Sequence, residues 1–179
     1  MTVRMTLSVL SISLAFAAMA ASQATAQSLK PPYVSYAAKF SCGSAKADSD
    51  VVEGNYATAI NIHNPQSTIA VTFRKKFVLA NQEGQPAGLI FTVQSETLKP
   101  DIAERVDCAV IAKNLDLSLA ANHSDGFVII EVSPIPGAAG PTFQPALDVV
   151  GIYSSRGVGT AVASSSVDVV VYQGTLITK

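Results

Sequence analysis

The chain has 179 residues, 49% of them apolar, with 12 basic against 13 acidic side chains and a formal net charge of −1. Its first 26 residues read as a removable segment that takes 17 apolar residues and one basic residue with it. The other 153 then carry 11 basic against 13 acidic residues, a net charge of −2, and are about 46% apolar, the usual value for one globular domain. A nucleic-acid partner or an anionic membrane surface would need a basic surplus that is absent, so neither is expected.

Arg4 supplies a positive charge and Leu7 to Ala21 an apolar run broken only by Ser8, Ser11 and Ser13. Ala24-Thr25-Ala26 before Gln27 then supplies a small-x-small cleavage site. This predicts a secretory signal peptide over 1–26 and a mature domain over 27–179. The rival reading, a membrane anchor, is disfavoured because the run falls short of the ~20 residues that span a bilayer. No later stretch is long and apolar, so no integral membrane segment is expected after cleavage, and the mature chain is expected in the periplasm or outside the cell.

Beyond Gln27, Val and Ile number 29 against nine Leu, a β-branched bias that favours strands. Val34, Tyr36, Ala38 and Phe40 alternate, then Tyr56, Thr58, Ile60 and Ile62, then Ile69, Val71 and Phe73. Leu89 to Val93, Ile102 to Ile111, Phe127 to Val132, Leu147 to Tyr153 and Val167 to Ile177 complete eight predicted strands. Turn residues separate them, with a stiff loop at Pro134 to Pro145. Lys113 to Ala121, the one helical candidate, is short and poorly amphipathic and reads as a loop with at most one turn. The pattern predicts an all-β domain, a single immunoglobulin-like sandwich of about seven to eight strands.

The two cysteines, Cys42 and Cys108, are even in number and 66 positions apart, which in an oxidising compartment predicts a structural disulfide rather than a redox dithiol or a metal pair. Histidine occurs twice, as His63 where a strand meets Asn64-Pro65, and as His123 in the turn Asn122-His123-Ser124-Asp125-Gly126. No Gly-x-Ser-x-Gly is present and both thiols are expected to be bridged, so a triad-type hydrolase is not favoured. A blue-copper site fails on spacing, since Cys108 and His123 are 15 positions apart and every Met leaves with the signal; Gln144 would have to act axially with Cys42 unpaired. His63, His123 and Asp125 are weak candidates for zinc or copper(II). Asp48-Ser49-Asp50 with Glu53-Gly54 alternates carboxylates but lacks the glycine an EF-hand requires at its sixth position, and reads as a solvated turn. Gly157-Val158-Gly159 lacks the third glycine of a dinucleotide motif and reads as a hairpin loop. Asn122-His123-Ser124 fits the glycosylation sequon, which matters only in a host that glycosylates exported proteins. No cofactor is implied.

The stretches Tyr36 to Gly43 (YAAKFSCG), Gly54 to Pro65 (GNYATAINIHNP), Leu98 to Asp101 leading into Asp107-Cys108, Gly126 to Ile130 and Leu147 to Tyr153 resemble a group of small exported bacterial proteins of uncharacterised function. The resemblance spans most of residues 27–179 and implies an immunoglobulin-like sandwich without assigned catalytic residues. Within the motif, Asn61 and Asn64 are expected to bond exposed backbone at the sheet's end, and Pro65 to stop the ladder for want of a donor. The function expected is a non-enzymatic module for adhesion, assembly or binding of a protein or carbohydrate of the cell envelope. Two other readings are a subunit or chaperone-like partner acting by strand addition through Ser164 to Lys179, and a metal-binding or hydrolytic protein centred on His63 and His123.

Overall fold

The computed structural model describes residues 32–47, 49, 51–81, 90–118, 122–133, 147–157 and 165–178. The segment 1–26, Asp48, Asp50, the loop Pro134 to Pro145 with Gln144, and Val158-Gly159 lie outside the described residues. The described residues are all-β apart from one short helix. The strands are β1 (Tyr33–Ala45), β2 (Gly54–His63), β3 (Val71–Leu79), β4 (Ile90–Leu98), β5 (Ala103–Asp107), β6 (His123–Val132), β7 (Asp148–Gly157), β8 (Ser165–Tyr172) and β9 (Thr175–Ile177), with helix α1 (Cys108–Leu115) between β5 and β6.

All pairings are antiparallel and run in the order β4-β3-β6-β1-β2-β7-β8, with β5 against β2 and β9 against β1. Strand β1 pairs with β6 from Val34 opposite Val132 to Gly43 opposite His123. Its other edge is shared: β9 takes Tyr33 to Ser35, and β2 takes Gly43 to Ala45 before diverging to pair with β5 over Ala59 to His63. The alternation read from β1 has its expected result, since Val34, Tyr36, Ala38, Phe40 and Cys42 are buried while Ala37 and Lys39 face solvent. Ile60, Ile62, Phe73, Phe77, Val106, Ile111, Val128, Ile130 and Val149 join them in a single core drawing on β1 through β7 and α1.

Three expectations are corrected here. The expected turn at Asn122 to Gly126 is the start of β6, where His123, Ser124, Asp125 and Gly126 lie opposite Gly43, Cys42, Ser41 and Phe40 of β1. Ile102 to Ile111 is not one strand: it ends at Asp107, whose carboxylate accepts the Ala109 and Val110 backbone N–H groups at 3.0 and 3.1 Å and so caps a helix over Cys108–Leu115. Cys108, Ile111 and Leu115 stand at i, i+3 and i+7, which lays one helical face on the core. Asp116 then adopts a left-handed φ of 52° and ends the helix, so the expected loop over Lys113 to Ala121 begins only there. The C-terminal stretch is likewise not one strand. It breaks at Gln173-Gly174 so that β9 can fold onto β1, where a Cβ on Gly174 would stand 2.5 Å from Val34 Cγ1 and 2.8 Å from Tyr36 Cζ.

Cys42 and Cys108 form a disulfide with 5.7 Å between Cα atoms, tying the middle of the fold to the first residue of α1. Closing a loop of this length contributes about 4 kcal/mol on the chain-entropy account. No helix among the described residues is long and apolar enough to cross a membrane.

Candidate functional site

The histidines sit at opposite ends of β2. The His123 ring meets the Tyr56 ring edge-on at 5.0 Å, near the start of the strand, whereas His63 is its last residue. Seven residues of extended chain separate the two by about 23 Å, so they do not share a metal ion. His63 Nδ1 lies 3.1 Å from Asp148 Oδ2 and Nε2 lies 3.3 Å from Asp101 Oδ1. The hydrogen bond to Asp148, then that to Asp101, raise its pKa above the usual histidine value against a smaller opposing effect of burial. His123 Nε2 is 2.9 Å from Ser41 Oγ, and Asp125 pairs instead with Lys39 at 3.8 Å. His63, His123 and Asp125 are therefore not assembled into one site, and among the described residues no group of three or more His, Cys, Asp or Glu is placed to hold a metal. Ser41 and His123 touch as a nucleophile and base would, but the ring's other contact is Tyr56 rather than an orienting carboxylate.

Asn64 has the role expected of it at the end of the sheet. It is fully buried, its Nδ2 donates to the carbonyls of Ile69, Leu98 and Lys99 at 2.9 to 3.1 Å, and its Oδ1 accepts from Gln66 N–H at 3.1 Å. Asn61 is a ladder residue opposite Arg105 and Val150.

A concave feature lies along the part of β1 that neither β9 nor β2 covers. It is a groove of about 370 Å³ whose walls include Lys39 and Ser41 of β1, Tyr56 of β2, Tyr153 of β7, and Asp168 and Tyr172 of β8. A second hollow of about 230 Å³ adjoins it, sharing Tyr56, Ser155 and Ser166 and adding Glu53 and Arg156. A strand edge left open this way exposes backbone groups that need partners, and here hydroxyls provide them. Lys39 N–H donates to Tyr172 Oη at 3.1 Å, Tyr172 and Tyr153 hydrogen-bond to each other, and Tyr153 Oη donates to the Lys39 carbonyl at 2.6 Å. Because Tyr153 spends its proton on that carbonyl, Tyr172 must donate to Tyr153, and the circuit has one direction only. Thr58 Oγ1 repeats the arrangement two residues on, accepting from Ser41 N–H and donating to the Ser41 carbonyl, both at 2.9 Å. Burial, then the Tyr172 hydrogen bond, push the Tyr153 pKa far up, so its hydroxyl remains a neutral donor. The surface is therefore a hydroxyl-lined trough carrying one cation, Lys39, and one anion, Asp168.

A charged cluster inside the fold escaped the sequence reading. Lys75 lies on the core side of β3 between Phe73 and Phe77, with its side chain only 3% exposed. Its ammonium is 2.7 Å from Glu96 Oε2 on β4 and also pairs with Glu104 on β5. The two carboxyls share a hydrogen bond and titrate as a pair. Burial raises both; the bond between the carboxyls then lowers Glu96 and further raises Glu104, while Lys75 lowers each. The net result is Glu96 below and Glu104 above the ordinary glutamate value. The predicted third strand stops at Phe73, and the missed signal is Phe77: alternation continued to it puts Lys75 on the buried face. Across the sheet, Lys76 and Glu131 form a second buried ion pair.

Comparison with protein-family models, with curated proteins and with solved structures finds no match.

Proposed function

We propose that this chain is an exported, non-enzymatic module with an immunoglobulin-like β-sandwich fold, which binds a polyhydroxylated ligand, a carbohydrate of the cell envelope, in the groove beside β1. The groove carries the reading: its size suits a small ligand or a few sugar units, and serine and tyrosine hydroxyls line it, Tyr56, Tyr153 and Tyr172 with protons already spent within the protein but lone pairs to accept with, and the Ser155–Ser166 pair with one proton left to donate. Tyr56, Tyr153 and Tyr172 add flat apolar surface beside those polar groups. The sandwich reading is supported by the way the pairings fall into two groups, β4-β3-β6-β1 with β9 and β5-β2-β7-β8, joined where Gly43 to Ala45 meets Gly54 to Tyr56. Export is supported by the 1–26 pattern and by a disulfide that an oxidising compartment would maintain.

The test is titration of isotope-labelled protein with neutral and acidic oligosaccharides, following tyrosine ring resonances by NMR. Saturable shifts at Tyr56, Tyr153 and Tyr172, lost in Tyr153→Ala, are expected; shifts confined to residues outside the groove would end the proposal. Intact mass should place the N-terminus of the exported chain at Gln27.

A second reading, strand addition at β8, is favoured by one observation. Among the described residues β8 terminates the sheet order, and Val167, Val169 and Val171 on its outer side are 69%, 59% and 65% exposed.

A further inference from the structure

Edge strands are ordinarily protected from pairing by charged side chains, a proline, a bulge or short length. β8 has one charge and none of the others: it is eight residues of Ser-Ser-Val-Asp-Val-Val-Val-Tyr in unbroken register with β7 from Arg156 opposite Ser165 to Val149 opposite Tyr172. Among the described residues no strand pairs with its other edge, and its outer face carries three valines beside Val150 and Ile152 of β7. Asp168 is its only charge.

Resting on the strand-addition reading of this edge, we propose that the partner is a second copy of the chain, joined β8 to β8 about a two-fold axis at Val169. The register follows from pleat and charge. Antiparallel partners directly opposite must share a face, so the two residue numbers must sum to an even value. Two such registers overlap over seven residues, the most the strand allows. One sets Asp168 opposite its own copy, and like charges directly opposite are destabilising. The other sets Val169 opposite Val169, Val167 opposite Val171 and Asp168 opposite Val170. It zips six exposed valines into one band and moves each carboxylate off the axis. Such a contact is isologous and closes at two copies. The small net charge of the chain offers little long-range repulsion. The pairing also serves the proposed binding function. Ser166, Asp168, Val170 and Tyr172 of each β8 line the groove, so the two grooves abut across the axis as one longer trough suited to a polymeric ligand.

The full oxidised chain should show a reversible monomer–dimer equilibrium by sedimentation through the micromolar range, since seven paired residues bury less than a standard interface. Val169→Lys should weaken the dimer at least tenfold with an unchanged melting curve, because that side chain is solvent-exposed in the monomer. Val169→Cys should cross-link to its own copy under mild oxidation. A labelled peptide of residues 165–172 provides the discriminating arm. A chain that stays monomeric yet binds the peptide overturns self-pairing and leaves β8 as an edge for a foreign segment. A chain that neither dimerises nor binds the peptide overturns strand addition itself. A dimer indifferent to Val169→Lys overturns the proposal by placing the contact elsewhere.

Discussion

Replacing Asn64 by alanine should be among the most damaging single changes in the molecule, although it removes no apolar contact of note. The backbone bonds of residue 64, N–H to the Ile102 carbonyl and C=O from Asp101 N–H, both at 3.0 Å, survive the change. What goes is an amide that serves three carbonyls and one N–H. Nδ2 has two hydrogens for three acceptors, so one is shared. Only the bond to Leu98 is wholly buried; orphaning that carbonyl costs about 1–3 kcal/mol, and the other, partly solvated bonds about 0.5–1.5 kcal/mol each where water does not replace them. The total is about 3–4 kcal/mol, or a melting point lower by roughly 6–16 °C for a chain of this size. Urea unfolding of the oxidised protein, followed by circular dichroism, measures it as a lower midpoint at unchanged slope. Asn64→Asp keeps the Gln66 acceptor but points a carboxylate at three carbonyl oxygens, which raises its folded-state pKa. The folded state then binds the extra proton, so this variant should recover stability as pH falls through the carboxylate range. A loss below about 1 kcal/mol for Asn64→Ala would refute the accounting, as would an aspartate variant whose pH profile parallels the parent's.

The His63 pKa is raised by its bonds to Asp148 and Asp101, so its contribution to stability is full below the unfolded-state value and fades as pH rises through the folded one. The stability gap between parent and His63→Gln should therefore be larger at pH about 5.5 than at about 8.5, and an equal gap at both would contradict it. Lys75→Met leaves Glu96 and Glu104 facing each other without a cation; a loss of about 2–3 kcal/mol at neutral pH is expected, given partial exposure of both carboxylates, shrinking on acidification as the pair takes up protons. In Gly126→Ala the new Cβ would stand 2.1 Å from the Val78 carbonyl oxygen and 2.9 Å from the Phe40 ring, a clash with backbone that should destabilise by about 2–3 kcal/mol in the same unfolding assay. Reducing Cys42–Cys108, or replacing both by alanine, should remove about 4 kcal/mol, with a gel-mobility shift on reduction confirming the bridge.

Much of the secondary structure was legible because strand alternation is a local property. Val34 to Cys42 and Tyr56 to Ile62 announce which face is buried without reference to any neighbour, and the two cysteines had only each other to pair with. Where the reading failed, a local signal competed with a pattern or was cut short. Val106 and Ile111 suggested one strand, yet Asp107 between them is a helix cap and the Cys108, Ile111, Leu115 spacing is helical. The predicted third strand stopped at Phe73, short of Lys75 and Lys76, and nothing nearby in sequence shows that Glu96, Glu104 and Glu131 lie ready to pair with them. His63 and His123 read as candidates for one site, and only the length of β2 separates them.

Composition and alternation by themselves determined the strand class, the buried face of the principal strands and the cysteine pairing. These depend on side-chain chemistry and on neighbours one or two residues away. Tertiary structure alone decided the groove and the edge. Tyr153 and Tyr172 lie 114 and 133 positions from Lys39, and only the divergence of β2 from β1 leaves a backbone edge for their hydroxyls to complete. The exposure of Val167, Val169 and Val171 was equally hidden. A valine-rich alternating strand predicts burial, and that β8 comes last in the sheet among the described residues is a consequence of long-range pairing order.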